Sequence, residues 1–123
     1  MILKPNMILA GNKSKNKISN EEVSSKTLEC IKKSVPNEVP GIAFLSGGQS
    51  EIEATENLNL INKNNDTNFI MTFSYGRALQ QSALKFWSKD IKDIKGTQNI
   101  FNHRAKMNFL AAQGKWSSEL ENK

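Results

Sequence analysis

Residues 39–62 read VPGIAFLSGGQSEIEATENLNLIN, and the way this stretch divides decides the fold. Pro36 and Pro40 bracket a turn, after which Ile42-Ala43-Phe44-Leu45 is a short continuous apolar run, the pattern of a parallel strand buried on both faces. Ser46-Gly47-Gly48 then supplies a turn. Ser50 and Glu53 have the spacing of a capping box, which opens a helix. Its Ile52, Thr55, Leu58 or Asn59, and Asn62 trace a mixed face, Leu60 and Ile61 add apolar area, and Asn64, Asn65 and Asp66 break it.

The same unit recurs on both sides. Downstream, Phe69-Ile70-Met71-Thr72-Phe73 reads as a strand ending at Ser74, followed by the turn Tyr75-Gly76-Arg77 and a helix from Arg77 to Trp87 with Leu79, Ala83, Phe86 and Trp87 on one side. Upstream, residues 2–4 read as the tail of a strand, because Pro5 cannot donate to a ladder and closes the run. Ser19 and Glu22 form another capping box, and Val23, Thr27, Cys30 and Ile31 recur on one helical face up to about Ser34. A last helix, from about Ile91 or Thr97 to Ala112, puts Phe101, Ala105, Phe109 and Ala112 on a packing stripe, and the chain from Lys115 onward is polar and expected to fray. Alternation of strand and helix, with connections too long for hairpins, predicts an α/β fold of three parallel strands joined by right-handed crossovers. There is no internal repeat and no sign of a second domain.

A closed (β/α)8 barrel, one of the folds that such units build, needs about 250 residues, and the chain has 123. The expectation is either a fragment or a smaller fold. A hydrophobic content of 37% and a mean hydropathy of −0.53 favour a fragment, whose burial is shared with other chain. A strand end so close to Met1 reads as a truncation point, or as a start codon inside an ancestral frame. The net charge of +5 suits phosphorylated substrates or, more loosely, nucleic acid. The basic residues are scattered, however, and the one cluster, Lys13, Lys15 and Lys17, lies in a Gly/Asn/Ser-rich loop with no aromatic residue for base stacking, as in a solvated loop. Cys30 is the only cysteine, which excludes a disulfide framework and a cysteine-based metal site; it reads as a packing residue, the reactive alternative needing a neighbour that lowers its pKa. No run approaches the roughly 20 apolar residues of a membrane span, so the expected setting is cytoplasmic.

Three places carry candidate chemistry. Lys4, by residue type alone, is a strand-end lysine that snorkels to water; as a nucleophile it would need burial and nearby cations to lower its pKa from about 10.4. Ser46, Gly47 and Gly48 lie between a strand and a helix, where backbone amides approach an anion without a side chain in the way; a plain βα turn is the other reading. Gly76-Arg77 strengthens the anion reading, because loops after the last two strands of (β/α)8 barrels frequently form a phosphate site and Arg77 adds a planar, always charged donor. His103, the only histidine, has no acidic partner on its own helix and reads as a surface residue unable to form a metal site alone.

The strings ILKPNM (residues 2–7), VPGIAFLSGGQSEIEATENLNLIN (39–62), FSYGRALQQSALKFW (73–87) and RAKMNFLAAQGKW (104–116) resemble the last third of class I fructose-bisphosphate aldolase, the Schiff-base lyase of glycolysis. The likeness runs from Met1 to about Lys115. It implies a partial (β/α)8 TIM barrel holding the sixth, seventh and eighth strands, with residues 1–115 as the C-terminal part of the barrel and 116–123 as a polar tail. It implies that Lys4 forms the imine, and that Ser46, Gly47, Gly76 and Arg77 bind the C1 phosphate of a ketose, Gly48 completing their turn. It further implies a reaction without metal or other cofactor, a phosphorylated sugar as substrate, no nucleic-acid or membrane partner, and a homotetrameric parent. The family's acid/base glutamate, its other active-site lysines and its cleavage-directing aspartate belong to the first five strands and have no counterpart here. The family's C-terminal tyrosine has none either. The expectation is a chain inactive alone; the alternative is a non-catalytic remnant acting as a phosphate- or partner-binding piece.

Overall fold

The computed structural model describes residues 1–123. Its elements follow one another as β1 (Ile2–Leu3), α1 (Asn20–Ser34), β2 (Gly41–Phe44), α2 (Glu51–Lys63), β3 (Ile70–Phe73), α3 (Arg77–Trp87) and α4 (Ile94–Ala112), with a short 3-10 turn over Ser118–Asn122. The strands form one parallel sheet in the order β1-β2-β3, with Ile2 opposite Gly41 and Gly41 opposite Ile70. Pairing continues past the strand ends. The Leu45 amide donates to the Pro5 carbonyl at 3.0 Å and the Ser74 amide to the Phe44 carbonyl at 2.8 Å. The C-terminal ends of all three strands therefore lie side by side, and each leads into one of the candidate segments.

The core gathers on one face of the sheet, where Ile42, Phe44 and Met71 pack with Val23, Leu58, Ile61, Met107 and Ala111 from the helices. This corrects the expectation of a strand buried on both faces. Along β2 only Ile42 and Phe44 are fully buried, while Gly41 and Ala43 are half-buried, because no helix covers their side. At the sheet edges Ile2 and Ile70 are 69% and 73% exposed.

Helix boundaries follow their local signals. Ser19 caps α1 by accepting from the Glu22 amide at 3.1 Å, but the reciprocal half of that box does not form and the Glu22 carboxylate instead lies 3.5 Å from Lys26. At α2 both halves are present between Ser50 and Glu53. Faces are less faithful to pattern. On α1 the buried stripe is Val23, Ser24, Thr27, Leu28 and Ile31, and Cys30 is exposed, so the packing role expected for it is corrected. Helix α2 lies between α1 and α4 and buries Asn57 and Asn59 along with Leu58 and Ile61, while Ile52, expected on the packed face, is 49% exposed. On α3, Ala78 and Ala83 are buried and Trp87 is exposed.

The largest departures are at the C-terminus. Helix α4 buries Arg104, Met107, Asn108 and Ala111, and leaves Phe101 and Phe109 exposed, the stripe being displaced from the apolar one expected. Polar groups turn inward because they find partners there. Thr55 Oγ1 donates to Asn108 Oδ1 at 2.6 Å, and Arg104 donates to Thr55 Oγ1 at 3.2 Å and to both Glu121 oxygens at 2.9 and 2.8 Å. The segment from Lys115 onward is docked, where fraying was expected. Trp116 is buried, its amide donates to Asn59 Oδ1 at 3.0 Å, and its indole Nε1 donates to Glu121 Oε1 at 2.8 Å.

Candidate active site and phosphate cradle

Each candidate segment starts where a strand stops. The sheet sets their spacing, since neighbouring parallel strands run about 4.8 Å apart. Lys4 follows β1, Ser46-Gly47-Gly48 follows β2, and Ser74 to Arg77 joins β3 to α3. Lys4, Ser46, Gly47, Gly48, Ser74, Gly76 and Arg77 line one cleft of about 470 Å³, which Leu45, Gln49 and Gln81 complete. Lys4 and Arg77 are the charged residues of that lining and no carboxylate shares it, so the cleft has a positive field suited to an anion.

The turn after β2 is a tight one. The Gln49 amide donates to the Ser46 carbonyl at 3.1 Å, and Gly48 sits at φ +80°, a left-handed conformation that a side chain would strain. Asn6, in the segment that carries Lys4, donates from Nδ2 to the Gly47 carbonyl at 3.3 Å and ties the first candidate segment to the second. The turn after β3 behaves differently. Gly76 is the N-cap of α3 and no side chain caps the helix; the Leu79 amide donates to the Gly76 carbonyl at 3.0 Å, while the Arg77 and Ala78 amides have no protein acceptor and no acidic residue occupies that turn. An uncapped helix start with a free arginine attracts anions, whereas the start of α2 is already occupied by Ser50 and Glu53. A methyl group built on Gly76 would meet nothing within 4 Å, so that side of the glycine is open space.

Lys4 itself is exposed, in line with the snorkelling strand-end lysine that its residue type suggests and without the burial that a nucleophilic role would need. The cause is its place beyond β1, an edge strand with no chain on its outer side. Tyr75, beside the site, points into the core: its hydroxyl donates to the Ala54 carbonyl at 2.8 Å, its ring lies 5.4 Å from that of Phe73, and burial pushes its phenol far above the ordinary tyrosine value. It is a structural support for the cleft wall. His103 lies outside the cleft, 3.5 Å from Glu121, so it does have an acidic neighbour, supplied by the docked C-terminal segment rather than by its own helix. A larger groove of about 680 Å³ runs between α3 and α4, lined by Leu84, Trp87 and Phe101 among others; it contains no charged side chain and none of the candidate residues. Sequence reasoning overlooked Asn6, Gln49 and Gln81, whose types carry no signal until the strand ends are aligned.

Comparison with known proteins identifies the family. The family model described as "Glycolytic: Fructose-bisphosphate aldolase class-I" matches residues 1–123. The chain is 45% identical over 116 residues to a probable fructose-bisphosphate aldolase class 1 of Xylella fastidiosa, covering 94% of this chain and 35% of that protein. It is 48% identical over 122 residues to the chloroplastic fructose-bisphosphate aldolase 3 of Arabidopsis thaliana, covering 99% of this chain and 31% of that one. A solved structure of fructose-bisphosphate aldolase from Plasmodium falciparum, in complex with TRAP and a small-molecule inhibitor, superposes with a TM-score of 0.90 at 41% identity, over 95% of this chain and 34% of its own. The chain thus spans about a third of the length of the relatives it matches, and its parallel strands with their following helices are part of the aldolase TIM barrel. With the motif strings, the sheet order and these likenesses in agreement, the chain belongs to the class I fructose-bisphosphate aldolase family.

Proposed function

We propose that this chain carries the Schiff-base lysine and the C1-phosphate cradle of a fructose-bisphosphate aldolase, the enzyme that cleaves fructose 1,6-bisphosphate to dihydroxyacetone phosphate and glyceraldehyde 3-phosphate. The observation that supports it best is the convergence of Lys4, the Ser46–Gly48 turn, Gly76 and Arg77 on one cleft without a carboxylate. In this reading Ser46, Gly47, Gly48, Gly76 and Arg77 hold the phosphate, and the Lys4 amine adds to the ketone carbon. Water leaves as the iminium forms. The electron pair of the bond between substrate carbons 3 and 4 then moves into the iminium, giving an enamine, while a base removes the proton of the carbon-4 hydroxyl and the aldehyde departs. Every carboxylate of the chain lies outside the cleft lining, so that base is lacking, and the 123-residue chain binds and forms the imine but does not turn over. The chemistry needs no metal or other cofactor.

The same reading divides the chain into residues 1–115, the C-terminal part of the barrel, and residues 116–123, its tail. It gives the intact protein a homotetrameric state and a cytoplasmic setting, although the Arabidopsis relative is chloroplastic; no helix here is long and apolar enough to cross a membrane. Incubation with dihydroxyacetone phosphate followed by borohydride should leave a reduced adduct on the chain, and fructose 1,6-bisphosphate in a coupled assay should give no turnover. Absence of any adduct ends the imine role.

One observation favours a second reading, a non-catalytic remnant that binds phosphate or a partner: Lys4 is exposed, and Ile2 and Ile70 stand on unpaired sheet edges. It predicts self-association that rises with concentration in sedimentation and phosphate binding without an imine. A monomer at every concentration, melting cooperatively, removes it.

A further inference from the structure

We infer that Gln49 and Asn57 form a positioning pair that fixes the Ser46–Gly48 turn for an anion, an inference that rests on the phosphate reading and adds residues that act through the backbone of the turn. The turn is held at two points. Upstream, Asn6 Nδ2 donates to the Gly47 carbonyl at 3.3 Å. Downstream, Gln49, whose own amide closes the turn onto Ser46, accepts from Asn57 Nδ2 through its side-chain oxygen at 2.8 Å. Asn57 is 1% exposed on the packed side of α2, so this hydrogen bond reaches from the turn past the Ser50 cap and anchors the turn in the core. A turn tied only at its helix end could rock about the helix start; one tied at Asn6 and at Asn57 cannot.

The pair is also an expensive choice if its purpose is folding. Gln49 Nε2 and Asn57 Oδ1 are both buried with no hydrogen-bond partner, so each amide is half satisfied. Such a pair destabilises a core relative to apolar side chains of the same shape. Local departures of this kind are expected where a site, rather than the fold, sets the residue. What the pair supplies here is preorganisation: the turn is already in its bound shape, and the anion does not have to order it.

The test uses the whole 123-residue chain and inorganic phosphate, followed by amide NMR shifts at Gly47, Gly48 and Gly76. The unmodified protein shows saturable shifts at those amides. Gln49→Met and Asn57→Leu, which keep volume and remove the hydrogen bond, weaken phosphate binding roughly threefold to tenfold, the loss expected when ordering costs return to the binding step. Each single variant leaves its partner amide without a hydrogen bond and melts below the parent, whereas the double variant Gln49→Met, Asn57→Leu removes both amides and melts close to it, so weakened binding at preserved stability in the double variant separates positioning from a structural role. Unchanged affinity in both variants, with affinity lost in Arg77→Ala, overturns the inference and leaves the phosphate site standing. No shifts in the unmodified protein, or full affinity in Arg77→Ala, overturns both. A further measurement needs no variant: the Asn57 side-chain amide protons, one of which is donated to Gln49, exchange more slowly than those of a free asparagine amide, and phosphate slows them again. Exchange at the free rate, indifferent to phosphate, also overturns it.

Discussion

Replacing Glu121 by alanine should be among the more damaging single changes outside the apolar core. The Glu121 carboxylate accepts from both terminal nitrogens of Arg104, at 2.9 and 2.8 Å, and from the Trp116 indole at 2.8 Å. The side chains of this pair are only 9% and 12% exposed. Without Glu121, the buried guanidinium keeps a single bond at 3.2 Å, to Thr55, its Nε already lacks a partner, and the indole N–H loses its acceptor. Breaking a buried pair by removing one member costs about 3–5 kcal/mol, and the position of Glu121 near the rim places it at the low end, about 3 kcal/mol. In a chain of this size that lowers Tm by roughly 10 °C. Circular dichroism melts read the loss, and Trp116 fluorescence shifts to the red as the C-terminal segment releases. The double variant Arg104→Met, Glu121→Leu should melt within about 4 °C of the parent, since replacing both charges by apolar groups leaves neither buried alone. If Glu121→Ala melts within about 2 °C of the parent, the docked segment carries no stability and the reasoning fails.

The same carboxylate sets a pH dependence. Burial pushes the Glu121 carboxyl up, but hydrogen bonds from Arg104 and Trp116, the Arg104 charge and the His103 contact outweigh it and hold the group below the usual glutamate range. A depressed folded-state pKa contributes stability that is complete above the unfolded value of about 4.3 and is lost as pH falls through the folded one. Melts of the parent should therefore be flat from neutral pH to about 5 and fall below it, with the Glu121→Gln variant showing a shallower acid limb; parallel curves count against this. Arg77→Ala should weaken inorganic phosphate binding roughly tenfold or more while leaving Tm unchanged, because a charged hydrogen bond is lost from an exposed side chain; equal binding removes Arg77 from the cradle. Tyr75→Phe should lower stability by about 1 kcal/mol through the lost hydrogen bond to the Ala54 carbonyl, which lies within α2 and keeps its helical donor, read from denaturant midpoints, and no change would mean that the hydroxyl contributes nothing to stability. Cys30 should react with a thiol reagent in the folded protein, and protection until denaturant is added would restore the packing role.

How much of this was legible follows from where the information is local. The strand-turn-helix units were, because Ser50 with Glu53, Pro5 and the glycine turns each act within a few residues. The gathering of Lys4, Gly47 and Arg77 at one end of the sheet was legible as well, since parallel order alone aligns strand ends. Helix faces were not. On α4 the pattern favoured Phe101 and Phe109, yet Arg104 and Asn108 are inside, because their partners Thr55 and Glu121 lie 49 or 53 and 17 residues away in sequence. Cys30 failed for a related reason: Leu28, not Cys30, is on the buried face of α1, and single-helix periodicity does not fix the centre of a stripe. The exposure of Lys4 depends on β1 being an edge, a property of the sheet that no residue near Lys4 signals.

The central claim is that Lys4 and the glycine turns form one site. Dihydroxyacetone phosphate and its unphosphorylated counterpart, dihydroxyacetone, offered at equal concentration with cyanoborohydride and followed by peptide mass mapping, test it most directly. The phosphorylated ketone should leave a reduced adduct concentrated on Lys4, competed away by inorganic phosphate, and the other little labelling. Equal labelling by both ketones, or adducts spread over Lys13, Lys15, Lys17 and the remaining surface lysines, would contradict it.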